Sequence, residues 1–223
     1  MNNVLLGNPV AADSSPFERL GKYGLLPVAA VPSAQVAIRL VDSLSAAGLP
    51  VIEVTLRTDA AILAIREITR TCPDALVGAG TVLNVEQASR AIDAGAHFVI
   101  TPGLDPEIIQ FCHDRGLQVV PGVCTPTEIH HAMRLGLRTL KFFPAEAMGG
   151  ANTLLALYGP FPQVQFIPTG GIGLHNLRDY LKLPNILACG SSAWADLGDL
   201  ATTDFDRIQR TATAARLIVD NER

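Results

Sequence analysis

Lysine is scarce in this chain: Lys22, Lys141 and Lys182 are the only three in 223 residues. There is no basic block, and the formal net charge of −4 argues against nucleic acid or an anionic membrane as a partner. No stretch approaches the ~20 consecutive apolar residues that a membrane span requires. The four cysteines (Cys72, Cys112, Cys124 and Cys189) form no CxxC pair, as expected of reduced thiols in a cytoplasmic protein. The five histidines show neither HxH nor HExxH spacing, so no metal is expected. The opening MNNVLLGNPVAADSSP lacks the positive stretch of a signal peptide, and residues 1–15 read as a loose tail. Hydrophobic residues, by contrast, make up 48% of the chain and charged residues 17%, enough for a sizeable core.

That apolar content is organised. Short runs rich in Val, Ile, Ala and Gly recur at 25–31, 51–56, 76–82, 98–103, 118–124, 139–145, 165–171 and 186–192, each of strand length. Helical periodicity fills the intervals, as in Ala37, Leu40, Val41 and Leu44, or Ile62, Ile65 and Ile68. Ser33, Asn84, Asp105 and Thr125 are placed to cap helices, and Gly48, Gly95, Gly116 and Gly136 to end them. Alternating strand and helix implies parallel strands joined by right-handed crossovers. Eight even repeats without a composition break predict an α/β fold, a closed (β/α)8 TIM barrel spanning residues 16–223 as one domain. Pro16–Tyr23 is expected to form a short extra helix beneath it, and Phe205–Val219 the last helix.

In such a barrel the chemistry lies at the C-terminal ends of the strands. Two strands carry residues that a core would not want there. In VIEVTLR (51–57), alternation sends Ile52, Val54 and Leu56 to one face and Glu53, Thr55 and Arg57 to the other. In TLKFFP (139–144), Leu140 and Phe142 share a face and Lys141 shares the opposite one with Phe143. If the apolar sets face the helices, Glu53, Arg57 and Lys141 converge inside, and Thr81 at the end of the third strand joins them. Confinement beside an arginine is expected to lower the pKa of Lys141. A neutral amine attacks a carbonyl carbon to form a Schiff base. Glu53 is the proton carrier such steps need, and Arg57 a planar fork for a substrate carboxylate. A structural ion pair is the non-catalytic explanation for the same residues.

The last two strands end in Thr169-Gly170-Gly171 and Gly190-Ser191-Ser192. Loops at these positions of the barrel commonly hold phosphate through backbone N–H groups, and glycine lets the backbone approach the anion. The residues therefore ask for a small phosphorylated keto acid and for neither metal nor organic cofactor.

EVTLR at 53–57, GAGTVL at 78–83, TPG at 101–103, KFFPAEA at 141–147 and PTGGI at 168–172 closely resemble the 2-keto-3-deoxy-6-phosphogluconate (KDPG) aldolase / 4-hydroxy-2-oxoglutarate aldolase family. The resemblance runs in order from about Leu25 to Trp194. It implies a class I aldehyde-lyase of the Entner–Doudoroff route, a homotrimer, that cleaves KDPG to pyruvate and glyceraldehyde 3-phosphate. It implies Lys141 as the imine lysine, Glu53 as the group that moves protons, and Arg57 with Thr81 as the carboxylate clamp. Pro102 and Phe143 match the lining of the pyruvate pocket, and Gly170, Gly171 and Ser192 the phosphate site. Thr169 points to the gluconate enzyme over its galactonate relative. Many relatives carry GGSW at the end of strand eight. Here Ser191 adds a Cβ, which is expected to narrow the anion pocket. The same pocket also suits 4-hydroxy-2-oxoglutarate, 2-keto-3-deoxy-6-phosphogalactonate or decarboxylation of oxaloacetate. A catalytically silent barrel that binds a phosphometabolite is the reading from a different class. The run Asp196–Asp206 reads as a solvated connection, His130-His131 as surface residues and Cys124 as a packed thiol.

Overall fold

A computed structural model describes residues 15–197 and 203–223. Residues 1–14 of the expected tail and 198–202 of the acidic connection lie outside the described residues.

Each of the eight expected strand regions contains a strand. They are β1 (Leu25–Ala29), β2 (Val51–Thr55), β3 (Leu76–Gly80), β4 (Phe98–Ile100), β5 (Gln118–Val120, resuming as Gly122–Val123), β6 (Thr139–Phe142), β7 (Gln165–Pro168) and β8 (Cys189–Ser191). All pair in parallel, and β8 returns to β1 through the register Leu25↔Cys189. Two seams need an explanation. Pro121 interrupts β5 because it has no N–H to donate. Its carbonyl still accepts from Lys141 N at 2.9 Å, so β5 and β6 stay joined. Between β7 and β8 the pairing reduces to Phe166↔Ile186 and Thr169↔Gly190. The ring of eight strands is closed, as the repeat period predicts.

The helices are α1 (Pro16–Tyr23), α2 (Ala34–Ala46), α3 (Ala61–Thr71), α4 (Val85–Asp93), α5 (Pro106–Asp114), α6 (Pro126–Arg134), α7 (Gly150–Tyr158), α8 (Leu177–Leu181) and α9 (Phe205–Glu222). The side chains of Ser33, Asn84, Asp105 and Thr125 all accept backbone N–H bonds from the first turns of their helices. Each such cap is worth ~1 kcal/mol. The extra helix α1 has the expected bounds. Its Arg19 reaches the Asp74 carbonyl just before β3, at the N-terminal end of the barrel. The alternation on β6 is also as expected: Leu140 and Phe142 are fully buried, and Phe142 meets Phe166 of β7 edge to face at 6.3 Å between centroids. Of the three lysines only Lys141 is buried; Lys22 and Lys182 are exposed. His130 and His131 are exposed on α6.

Candidate active site

The strands carry two opposite charges into the interior. Glu53 on β2 is fully buried, and the Lys141 side chain on β6 is 7% exposed. Their Nζ and Oε1 atoms lie 3.3 Å apart, 88 residues apart in sequence. The pair forms because β3 makes room for it. A Cβ at Gly80 would stand 2.1 Å from Glu53 Oε1, so glycine is required there by close approach. The other carboxylate oxygen of Glu53, Oε2, is buried without a protein partner. A buried acceptor left open in this way is costly unless something else meets it. Lys141 Nζ also sits 5.2 Å from the centre of the Phe143 ring.

Both groups face a cavity of about 520 Å³ at the C-terminal ends of the strands. Arg57, Thr81, Pro102, Phe143, Thr169, Gly170, Gly171, Ser191 and Ser192 line it with them, so all but one of the candidate site residues meet there. The exception is Gly190, which is absent from the wall. Its Cα lies under Thr169, and a Cβ there would come within 2.3 Å of Thr169 Oγ1. Its place is the strand pairing beneath the site, not the cavity wall.

Arg57 is held by its own strand: its Nε donates to Thr55 Oγ1 at 3.2 Å, and Thr55 Oγ1 donates to the Ala29 carbonyl at 3.1 Å. Thr81 has φ 56°, a left-handed conformation that a β-branched residue rarely adopts. Strain of this kind clusters where function demands a side-chain direction, and Thr81 lines the cavity. The loop after β7 has two consecutive left-handed residues, Gly170 (φ 108°) and Gly171 (φ 79°). Glu146 supports that loop. Its backbone N–H donates to the Gly170 carbonyl at 3.1 Å, and its side chain fills the space beneath Gly171. Tyr180 of α8 donates its hydroxyl proton to Glu146 Oε1. Burial, then the Glu146 contact, pushes the Tyr180 phenol far above its ordinary value, so it stays a donor.

Ser191 is buried, and its hydroxyl is already used: Oγ donates to the Ile172 carbonyl and accepts from Ala193 N at 3.0 Å. Its neighbour Ser192 is exposed to the cavity.

Sequence reasoning missed Val28, Ile172, Ala193 and Asp196 in the wall. Asp196 is exposed, as a solvated connection implies, but it has a further place at the cavity. It lines the cavity, and Arg207 of α9 reaches both its carboxylate, at 3.4 Å, and its carbonyl, at 3.0 Å. An acidic residue in a connection gives no local signal of such a position. Cys124 does not line the cavity, and burial followed by the Glu128 carboxylate pushes its thiol pKa up. Cys189, beneath the site on β8, is pushed up to about 12 by burial. Among the described residues no group of three His, Cys, Asp or Glu could hold a metal, and no helix is long and apolar enough to cross a membrane.

The family model for KDPG and KHG aldolase matches residues 17–211. The chain belongs to the KDPG and KHG aldolase family. Among its relatives in this family is the 2-dehydro-3-deoxy-phosphogluconate aldolase of Haemophilus influenzae, 46% identical over 194 residues, which span 87% of this chain and 92% of that one. The KHG/KDPG aldolase of Escherichia coli is 44% identical over 191 residues, 86% of this chain and 90% of that one. A crystal structure of KDPG aldolase from Legionella pneumophila, with pyruvate captured as a covalent carbinolamine, superimposes with a TM-score of 0.87 at 35% identity. That match covers 92% of this chain and 99% of the other. An aldehyde-lyase barrel of this family is thus the frame in which the buried Lys141–Glu53 pair sits.

Proposed function

We infer that the chain, as one catalytic barrel from residue 16 onward, is a class I aldolase that cleaves 2-keto-3-deoxy-6-phosphogluconate to pyruvate and glyceraldehyde 3-phosphate. The observation that carries the reading is Lys141 Nζ at 3.3 Å from Glu53 Oε1, both buried and both facing the cavity.

The geometry supports the following sequence. Attack needs the uncharged amine, and Glu53 Oε1 is within reach to take its proton. Nζ then adds to the keto carbon while Arg57, steadied by Thr55, and Thr81 hold the adjacent carboxylate. Glu53 returns that proton to the carbinolamine oxygen and relays a second one to it from the nitrogen; the oxygen leaves as water, and a protonated imine remains. The imine is an electron sink two bonds from the C–C bond to be broken. Glu53 takes the proton of the C4 hydroxyl, the C3–C4 bond breaks, and its electron pair moves into the imine to form an enamine. The aldehyde leaves with its phosphate. Glu53 protonates the enamine carbon, and water attacks the regenerated imine to free pyruvate and Lys141. Glu53 Oε2 is buried and has no protein partner, so its lone pairs are not committed to the protein. The loops at Gly170-Gly171 and Ser192 are the proposed seat of the phosphate.

One experiment tests nucleophile, substrate half and reaction class together. Borohydride reduction with pyruvate should leave a mass adduct on Lys141, and Lys141→Ala should lose both adduct and cleavage. An adduct on Lys22 or Lys182, or none, would overturn the reading. A second substrate, 4-hydroxy-2-oxoglutarate, is favoured by one feature: the cations lining the cavity, Arg57 and Lys141, both lie on the carboxylate and keto side. The anion loops rely on backbone and hydroxyl groups, so an unphosphorylated substrate still meets the whole imine apparatus. We further propose a homotrimer and a cytoplasmic location, as the family resemblance implies. Sedimentation and cell fractionation test them.

A further inference from the structure

Two hydroxyls stand side by side at the end of β8 and do different things. Ser192 is exposed to the cavity. Ser191, 5% exposed, has no proton to offer a ligand, because Oγ donates it to the Ile172 carbonyl. The same oxygen accepts from the Ala193 N–H at 3.0 Å. Ile172 belongs to the loop after β7 and Ala193 to the loop after β8. Below them the strands meet at the Thr169↔Gly190 bridge. The Ser191 hydroxyl is a cross-link one level higher, at the height of the cavity wall to which Ile172, Ser191 and Ala193 all contribute.

We propose that Ser191 is a positioning residue whose hydroxyl staples the β7 and β8 loops together, and so sets the preference for a phosphorylated substrate without touching the phosphate. The proposal rests on the aldolase reading above and replaces the expectation that Ser191 binds the anion or merely narrows its pocket. The reason is electrostatic as well as geometric. Without the hydroxyl, the buried Ile172 carbonyl loses its donor and presents a bare acceptor oxygen to a site meant for an anion. The two loops also lose a fixed spacing, and a polyanion bound by several backbone N–H groups depends on their mutual geometry.

The test compares wild type, Ser191→Ala and Ser191→Gly on KDPG and on 4-hydroxy-2-oxoglutarate. The staple predicts that both variants lower the ratio of kcat/KM for phosphorylated over unphosphorylated substrate by about tenfold, through KM more than kcat. Three outcomes overturn it. If Ser191→Ala matches wild type while Ser191→Gly gains phosphate preference, the Cβ acts by bulk. If both variants gain preference, the hydroxyl competes with phosphate for the Ala193 N–H. If the two substrates lose equally, Ser191 is only a fold residue. Pyruvate trapping on wild type separates this from the reading beneath it. An adduct on Lys141 with an unchanged ratio sinks the staple alone, whereas no adduct sinks both.

Discussion

The two ends of the cavity are built differently. The proposed imine end is made of side chains on strands: Glu53 on β2 and Lys141 on β6, held by register and burial. The proposed anion end is made of strand ends and loops: Gly170-Gly171 in left-handed conformations supported by Glu146, and Ser191-Ser192, of which Ser191 is cross-linked to Ile172. Strand-borne charges suit a reaction that needs proton transfer over about 3 Å, because strands fix atoms most tightly. Loop-borne donors suit a phosphate, which takes several weaker contacts from many directions. Damage to the first end should strike the chemical step for any substrate. Damage to the second should strike binding of phosphorylated substrates alone.

The largest expected effect is at the imine end. Lys141→Ala should abolish cleavage of KDPG and of 4-hydroxy-2-oxoglutarate alike, in a coupled pyruvate assay. Residual activity on either substrate would mean that the strand-borne half is not the common engine. Next, Gly80→Ala places a Cβ within 2.1 Å of Glu53 Oε1 and must displace the carboxylate. A loss of about 10²-fold in kcat is expected, equal for both substrates, with the far-UV circular dichroism retained. At the other end, Gly171→Ala meets Glu146 Cγ at 2.6 Å and takes an unfavourable φ. KM for the phosphorylated substrate should rise about tenfold, and the unphosphorylated one should change far less. A matching loss on both would erase the distinction between the ends.

The smallest effect lies away from both, at the N-terminal end of the barrel. His97, just before β4, accepts from Val77 N at 3.1 Å through Nδ1. Burial holds its pKa below the usual 6.5; a bond to the Val77 carbonyl opposes this, and Arg19 adds to it. The folded state therefore binds fewer protons than the unfolded chain as the pH falls through 6.5. Stability present above that pH is lost on acidification toward the lowered pKa. Denaturant midpoints taken at about pH 7.5 and about pH 5 should fall slightly, and His97→Gln should reduce the slope.

Period and alternation were enough for the strand-borne half. A lysine between Leu140 and Phe142 must point away from the helices that bury them, and a glutamate between Ile52 and Val54 must do the same. The loop-borne half was legible only as composition. Two glycine-containing strand ends suggested an anion but misplaced Gly190, which sits under Thr169. They gave no sign that the Ser191 hydroxyl is committed to the Ile172 carbonyl. Asp196 was hidden altogether, since its approach to the wall depends on how the connection leads into α9.

Local pattern alone specified eight parallel strands, the caps of four helices and the inward direction of Glu53, Arg57 and Lys141, because each depends on neighbours within a few positions. Closure of the ring was needed to set Nζ 3.3 Å from a carboxylate 88 residues away, and to decide which of two adjacent serines is buried and which is exposed. Such distances belong to no single segment: they arise when separate strands are brought into register and share one interior.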